Sequence, residues 1–191
     1  MNRKTETIKK ILDKEWYMFQ RVKSLGGPAP CQSAPEAFRK IRGSIFETWS
    51  SEMLASYLED LKRALNEGRN LLAEKYARMD GLIPPLSTNS LINKIVEIET
   101  RWQEEARKKY PAIYFRVGRG TGAANDGSNF SIYLRSELET YSDKTLSLYY
   151  ERIRRALDKG ENPAILSLET LVKKGGFKNL EHAENILART C

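Results

Sequence analysis

The chain has 191 residues, of which 40% are hydrophobic and 30% are charged, a composition typical of a globular protein in water. No apolar run approaches the roughly 20 residues that a membrane-spanning helix needs. The first residues also lack the pattern of a secretory signal, so neither a membrane protein nor a secreted one is predicted. Two cysteines, Cys31 and Cys191, are too few for a disulfide scaffold, and we therefore predict a cytoplasmic location. The net charge of +7 permits a nucleic-acid partner but supports it only weakly, because the basic residues lie beside acidic ones.

The sequence contains an internal repeat. Residues 47–70 and 139–162 align without a gap at a shift of 92 positions, and 11 of these 24 positions are identical. Residues 8–15 match residues 92–99 at a shift of 84, so the second copy has a loop that is eight residues longer. The same order of segments occurs twice, which is typical of a tandem duplication.

We therefore predict a single domain over residues 1–191, made of two tandem units (about 5–80 and 88–176) and a short C-terminal helix. Each unit is expected to begin with a long amphipathic helix, since apolar residues recur there at helical spacing. A second long helix is predicted over residues 35–67 in the first unit and over residues 131–159 in the second.

Glycine and asparagine mark the ends of these helices. Gly68 and Gly160 lie where a helix C-cap needs a positive φ, and Asn70 and Asn162 can cap a short third helix. A last helix is predicted over residues 180–188. The resulting expectation is an all-α fold, an antiparallel helical bundle with a pseudo-two-fold internal repeat and short extra helices.

Four glutamates recur beside the apolar stripes. Glu15 lies four residues after Ile11, which puts both on one helix face, and Glu99 repeats the arrangement. Glu47 and Glu139 lie next to the stripe of the second helices at a comparable height along the bundle. The four carboxylates are therefore expected to form a layer near the pseudo-two-fold axis.

A buried carboxylate must be paired, protonated or bound to a cation. Three interpretations stay open: the glutamates fix helix register through arginine or tyrosine, they build a ligand or cation site, or they lie at the surface. The candidate partners are the cations Arg42, Arg135, Lys10 and Lys94 and the hydroxyl donors Ser50, Ser142, Tyr57, Tyr141 and Tyr149.

Metal chemistry has little support in the sequence. The single histidine, His182, lies far from the glutamates, so an iron or zinc site is not predicted. An all-oxygen Mg²⁺ site stays open, because Asp13 with Glu15 and Glu97 with Glu99 faintly resemble the acidic motifs of helical nucleotide pyrophosphohydrolases. No particular cofactor is identified.

Two Gly-rich loops are expected at the same end of the bundle. The first includes Cys31 and Gln32 just before the second helix, where a helix N-terminus favours a thiolate. Cys31 is therefore either a reactive thiol or a small packed side chain. The second loop, residues 116–129, either cradles a phosphate with backbone N–H groups or is a plain solvent loop, since no nucleotide-binding motif is complete.

Several segments resemble a prokaryotic family known as domain-of-unknown-function number 4125. They are residues 15–22 (EWYMFQRV), 26–32 (GGPAPCQ), 56–61 (SYLEDL), 68–79 (GRNLLAEKYARM) and 133–142 (YLRSELETYS). The family carries no assigned activity. The resemblance marks polar positions that helix packing does not require, among them Glu15, Cys31, Gln32, Arg69, Asn70, Glu74, Tyr76, Arg78, Glu137 and Tyr141. This set favours a polar small-molecule site at the loop end of the bundle.

The function favoured by these patterns is the binding of a small polar or anionic ligand near the loop end. Two alternatives stay open: a module that binds protein or RNA through basic helix faces, and a Mg²⁺-dependent nucleotide hydrolase. The sequence does not decide whether a reaction is catalysed. The residues expected at the site are Glu15, Cys31, Gln32, Arg42, Glu99, Arg135, Glu137 and Tyr141.

Overall fold

The computed structural model describes residues 2–23, 30–117 and 129–189, with only the backbone of residues 30 and 31. All regular structure in these ranges is helical, as predicted. The helices are α1 (Arg3–Phe19), α2 (Pro35–Glu47), α3 (Ser51–Asn66), α4 (Leu71–Met79), α5 (Leu91–Lys109), α6 (Pro111–Val117), α7 (Phe130–Leu138), α8 (Asp143–Asp158), α9 (Pro163–Lys174) and α10 (Leu180–Ala188), with a 3₁₀ turn over Pro30–Ser33. Among the helices of these ranges, none combines the length and the apolar composition that crossing a bilayer requires.

The prediction of one long second helix in each unit was wrong, because each is divided in two. The break falls on the repeated Glu-Thr-[Trp/Tyr]-Ser sequence, between α2 and α3 and again between α7 and α8. The Thr48 hydroxyl donates to the carbonyl of Ile45 (2.7 Å), and the Ser50 hydroxyl accepts from a backbone N–H of the next turn. Thr140 and Ser142 do the same at the second break. These side chains satisfy backbone groups that a helix end leaves unpaired, which stabilises the break.

The predicted caps of the third helices are confirmed. Gly68 and Gly160 have φ values of 71° and 65°, a left-handed conformation that favours glycine. The side chains of Asn70 and Asn162 each accept two backbone N–H groups at the start of α4 and α9. The last predicted helix corresponds to α10.

One continuous hydrophobic core joins the helices. Helix α1 packs against α3, and α5 against α8, while α3 and α8 contact each other. Helix α2 packs against α9 and α4 packs against α7, so each contact joins one predicted unit to the other. Helix α1 also contacts α2 and α4, and together with the α4–α7 contact this brings one side chain each from α1, α2, α4 and α7 together inside the protein.

Candidate functional site

Four charged side chains meet in the interior, and each is at most 9% exposed: Glu15 of α1, Arg42 of α2, Lys75 of α4 and Glu137 of α7. Arg42 lies between the two glutamates. Its Nε and Nη2 donate to Glu15 Oε2 (2.9 Å) and Oε1 (2.5 Å), and Nη2 also donates to Glu137 Oε1 (2.7 Å). Lys75 Nζ donates to Glu137 Oε2 (2.5 Å). Two cations therefore compensate two anions. We call these four residues the charge cluster.

Two tyrosines complete the hydrogen bonding of the carboxylates. The hydroxyl of Tyr57 donates to Glu15 Oε1 (2.8 Å), and that of Tyr141 donates to Glu137 Oε1 (2.8 Å). Burial raises the pKa of Tyr57 well above its usual value, and the Glu15 carboxylate raises it further. Burial and Glu137 have the same effect on the pKa of Tyr141. Both hydroxyls therefore keep their protons and act as donors.

The charges of the cluster stabilise one another. Burial alone would raise the pKa of Glu137, but Arg42 and Lys75 together hold it well below its usual range. Burial alone would lower the pKa of Arg42 and that of Lys75, yet the neighbouring carboxylates raise both. Removing one partner would leave an uncompensated buried charge, which is strongly destabilising in proteins.

Acidification is expected to remove the contribution of Glu137 to stability. An unfolded glutamate titrates at a pH of about 4.3. Since the folded pKa lies well below that value, the unfolded chain binds the proton first as the pH falls, and the free energy of unfolding decreases. We expect wild type to be more stable than Glu137→Gln near neutral pH, and this difference to shrink from about pH 5 downward in urea denaturation.

The matched control for this titration is Glu59→Gln, which changes an exposed partner of Lys62. It should differ little from wild type at any pH, because exposed ion pairs contribute little. A stability difference between wild type and Glu137→Gln that stays constant with pH would contradict an ionised Glu137.

A small cavity of about 20 Å³ adjoins the charge cluster. Arg42, Lys75 and Glu137 form its polar side, and the ammonium of Lys75 lies 3.5 Å from the ring centroid of Tyr133. Phe38 and Tyr76 supply further aromatic wall. About 10–15 Å³ is enough to hold one water molecule, so the cavity has room for one polar atom.

A larger groove of about 250 Å³ lies between the start of α3, α8 and the start of α9. Its charged lining includes Arg152, which is already paired with buried Glu99, and residues such as Arg155, Lys159 and Glu161, which are exposed to solvent. Exposed charges of both signs interact weakly because water screens them. The small cavity, where the charges are buried, is the better candidate site.

The other predicted glutamates do not join the cluster, so the expected layer of four carboxylates was wrong. Glu99 is buried, but it accepts from Tyr149 (3.0 Å) and pairs with Arg152 (3.2 Å). The arginine Arg78 donates to buried Glu139 (2.7 Å). Glu47 is exposed and pairs with Lys174.

Of the predicted site residues, the structure brings together Glu15, Arg42, Glu137 and Tyr141. Gln32 instead donates to the carbonyls of Phe19 (2.8 Å) and Val22 (3.0 Å), where it caps the end of α1. Arg135 lies partly buried on α7, and among the described residues no hydrogen bond or ion pair joins its side chain to the cluster. The side chain of Cys31 and most of both Gly-rich loops (residues 24–29 and 118–128) lie outside the described residues.

Lys75 was missed as a site residue, although a signal for it was present. It lies four residues after Leu71 and three after Leu72, so it shares the buried face of α4. A lysine on an apolar face needs a buried anion as a partner, and that partner is Glu137. In the described parts of the chain, no group of three or more His, Cys, Asp or Glu side chains is arranged to hold a metal ion.

These features define an all-helical protein with a buried, hydrogen-bonded charge cluster. Residues 5–185 match the family described as "Protein of unknown function (DUF4125)", and the chain belongs to this family. The resemblance found in the sequence is thereby confirmed. No curated protein and no solved structure matches the chain.

Proposed function

We propose that the chain is a single domain formed by tandem duplication, its units (about 5–80 and 88–176) packed as an antiparallel bundle with pseudo-two-fold symmetry. The helix contacts support this, because a shift of 92 positions exchanges the α2–α9 contact with the α4–α7 contact. Asn70 donates to the carbonyl of Met18 (2.8 Å), and its counterpart Asn162 donates to that of Trp102 (3.1 Å).

The charge cluster is present in only one of the two equivalent interfaces. At the shift of 92, Arg42 corresponds to Leu134, Lys75 to Ser167 and Glu137 to Ile45. The counterpart interface therefore packs without these charges. A buried ion pair is often no more stable than apolar residues of similar volume, so helix packing alone does not explain the cluster. This difference between the two interfaces is the observation that carries the functional proposal.

We propose that the protein binds a small polar ligand at the cavity beside Lys75. Within the described part of the chain, the only hydrogen bond of Lys75 is the one to Glu137, so its ammonium has donors to spare. The cavity has room only for that oxygen atom, so a flat or apolar body attached to it would lie outside the cavity, against the partly exposed rings of Phe38, Tyr76 and Tyr133. We also propose a cytoplasmic location for this binding, on the basis of the low cysteine content.

A binding screen on matched variants tests this proposal. The probes are phenol, benzamide, benzoate and uracil, each a flat ring with at least one oxygen acceptor. We expect at least one of them to raise the melting temperature of wild type and of Arg152→Met, which changes the separate Glu99 pair. Lys75→Met should not respond, because it lacks the donor.

Circular dichroism first establishes that each variant is helical at the temperature of binding. Absence of any response in wild type would count against the proposed site. An equal response in Lys75→Met and wild type would place the binding elsewhere.

A further inference from the structure

Building on the proposed function, we infer that the ligand presents an uncharged oxygen acceptor, such as an amide, a ring carbonyl or a phenol, rather than a carboxylate or phosphate. The reason is the charge balance of the cluster. The anions Glu15 and Glu137 are matched by the cations Arg42 and Lys75, and all four are at least nine-tenths buried.

The carboxylates of the cluster already have their donors. Glu15 accepts from Arg42 at both oxygens and from Tyr57 at Oε1. Glu137 accepts from Arg42 at both oxygens, from Tyr141 at Oε1 and from Lys75 at Oε2. The hydrogen-bonding group that stays available beside the cavity is therefore an N–H donor of the Lys75 ammonium. The ligand atom that binds there must be an acceptor.

A negative charge at this position would meet an electrostatic penalty. Lys75 is neutralised by Glu137, whose Oε2 lies 2.5 Å from Nζ, so an added anion would face both attraction and close repulsion. The interior would then carry one uncompensated negative charge, which is costly in a low-dielectric environment. An uncharged carbonyl oxygen accepts the same hydrogen bond without this cost.

Protonation of Glu137 does not relieve the electrostatic penalty of an anionic ligand. Protonation of this carboxylate would restore the charge balance, but Arg42 and Lys75 hold its pKa well below the usual range. The carboxylate consequently stays ionised near neutral pH, where a carboxylate ligand would itself be ionised.

The test compares benzamide with benzoate, which share a ring and differ in charge, by isothermal titration at neutral pH. Wild type should bind benzamide at least about tenfold more tightly than benzoate. Glu137→Gln leaves one excess positive charge, so it should shift the ratio towards benzoate by about tenfold. The control Glu99→Gln neutralises a glutamate that is not in the cluster and should keep the wild-type ratio.

Tighter binding of benzoate than of benzamide to wild type would overturn the inference while leaving the site in place. An unchanged ratio in Glu137→Gln would overturn it as well. Binding of neither probe would reject the proposed site, and this inference with it. If Glu137→Gln does not fold, wild type alone provides the test. Its affinity for benzoic acid should rise when the pH is lowered enough to protonate the ligand. An affinity that does not rise would contradict the inference of an uncharged acceptor.

Discussion

Replacing Arg42 by methionine is expected to lower the free energy of unfolding by about 3–5 kcal/mol. The guanidinium is the shared partner of Glu15 and Glu137, so its loss leaves two buried carboxylates with only Lys75 to compensate them. Methionine fills the space of the aliphatic part of the arginine side chain, which limits the contribution of a packing defect. Urea denaturation at neutral pH measures the change.

Arg39→Met is the matched control, because it lies on the same helix, α2, and pairs with Asp13 at the surface. An exposed pair of this kind is worth about 0–1 kcal/mol. If Arg42→Met lost no more stability than Arg39→Met, the pairing of Arg42 with two buried carboxylates would be refuted.

The double variant Lys75→Met/Glu137→Gln is expected to be more stable than either single variant. Lys75→Met leaves the cluster with one excess negative charge, and Glu137→Gln leaves one excess positive charge. We expect each single variant to lose about 3 kcal/mol or more. The double variant restores neutrality and keeps an acceptor for Tyr141, so the coupling energy should reach about 2–3 kcal/mol.

A parallel cycle on the exposed pair Lys62 and Glu59 provides the comparison and should give a coupling energy below about 1 kcal/mol. Additive effects of Lys75→Met and Glu137→Gln would show that the two charges do not interact in the folded protein. Although its stability is largely restored, the double variant should bind no ligand, since it lacks the ammonium donor.

Much of the helical framework could be predicted because its signals are local. Gly68 and Gly160 end helices at positions that need a positive φ, and Asn70 and Asn162 cap the helices that follow. The breaks at Ser50 and Ser142 were missed although their cap signal is local too. The apolar stripe continues through Trp49 and its counterpart, and periodicity alone does not reveal a change of direction.

The candidate site was predicted only in part, for a physical reason. The position of Glu15 on an apolar stripe indicated burial, and Arg42 was among its expected partners. Glu137 came from the family resemblance. The contact of Lys75 with Glu137 joins residues 62 positions apart on α4 and α7, and helical spacing within one element carries no information about such a pairing.

The residues at the α2–α9 and α4–α7 interfaces also explain why the expected layer of four carboxylates does not form. The α2–α9 interface carries Ile45 and Ser167 where the α4–α7 interface carries Glu137 and Lys75. Glu99 of α5 is instead compensated by Arg152 of α8, which aligns with Asp60 at the shift of 92 positions. The same helical spacing thus indicated that Glu15 and Glu99 are buried. Their compensating cations differ, however: Arg42 pairs with Glu15, and Arg152 pairs with Glu99.

The most direct measurement is an NMR spectrum of the lysine ammonium groups, recorded with and without benzamide. Lys75 should give a slowly exchanging ammonium signal, identified by its absence from Lys75→Met, because the group is buried and hydrogen-bonded to Glu137. Benzamide should shift that signal and leave those of exposed lysines unchanged. A Lys75 ammonium that exchanges as fast as surface lysines, or one that benzamide does not affect, would contradict a buried charged site for a polar ligand.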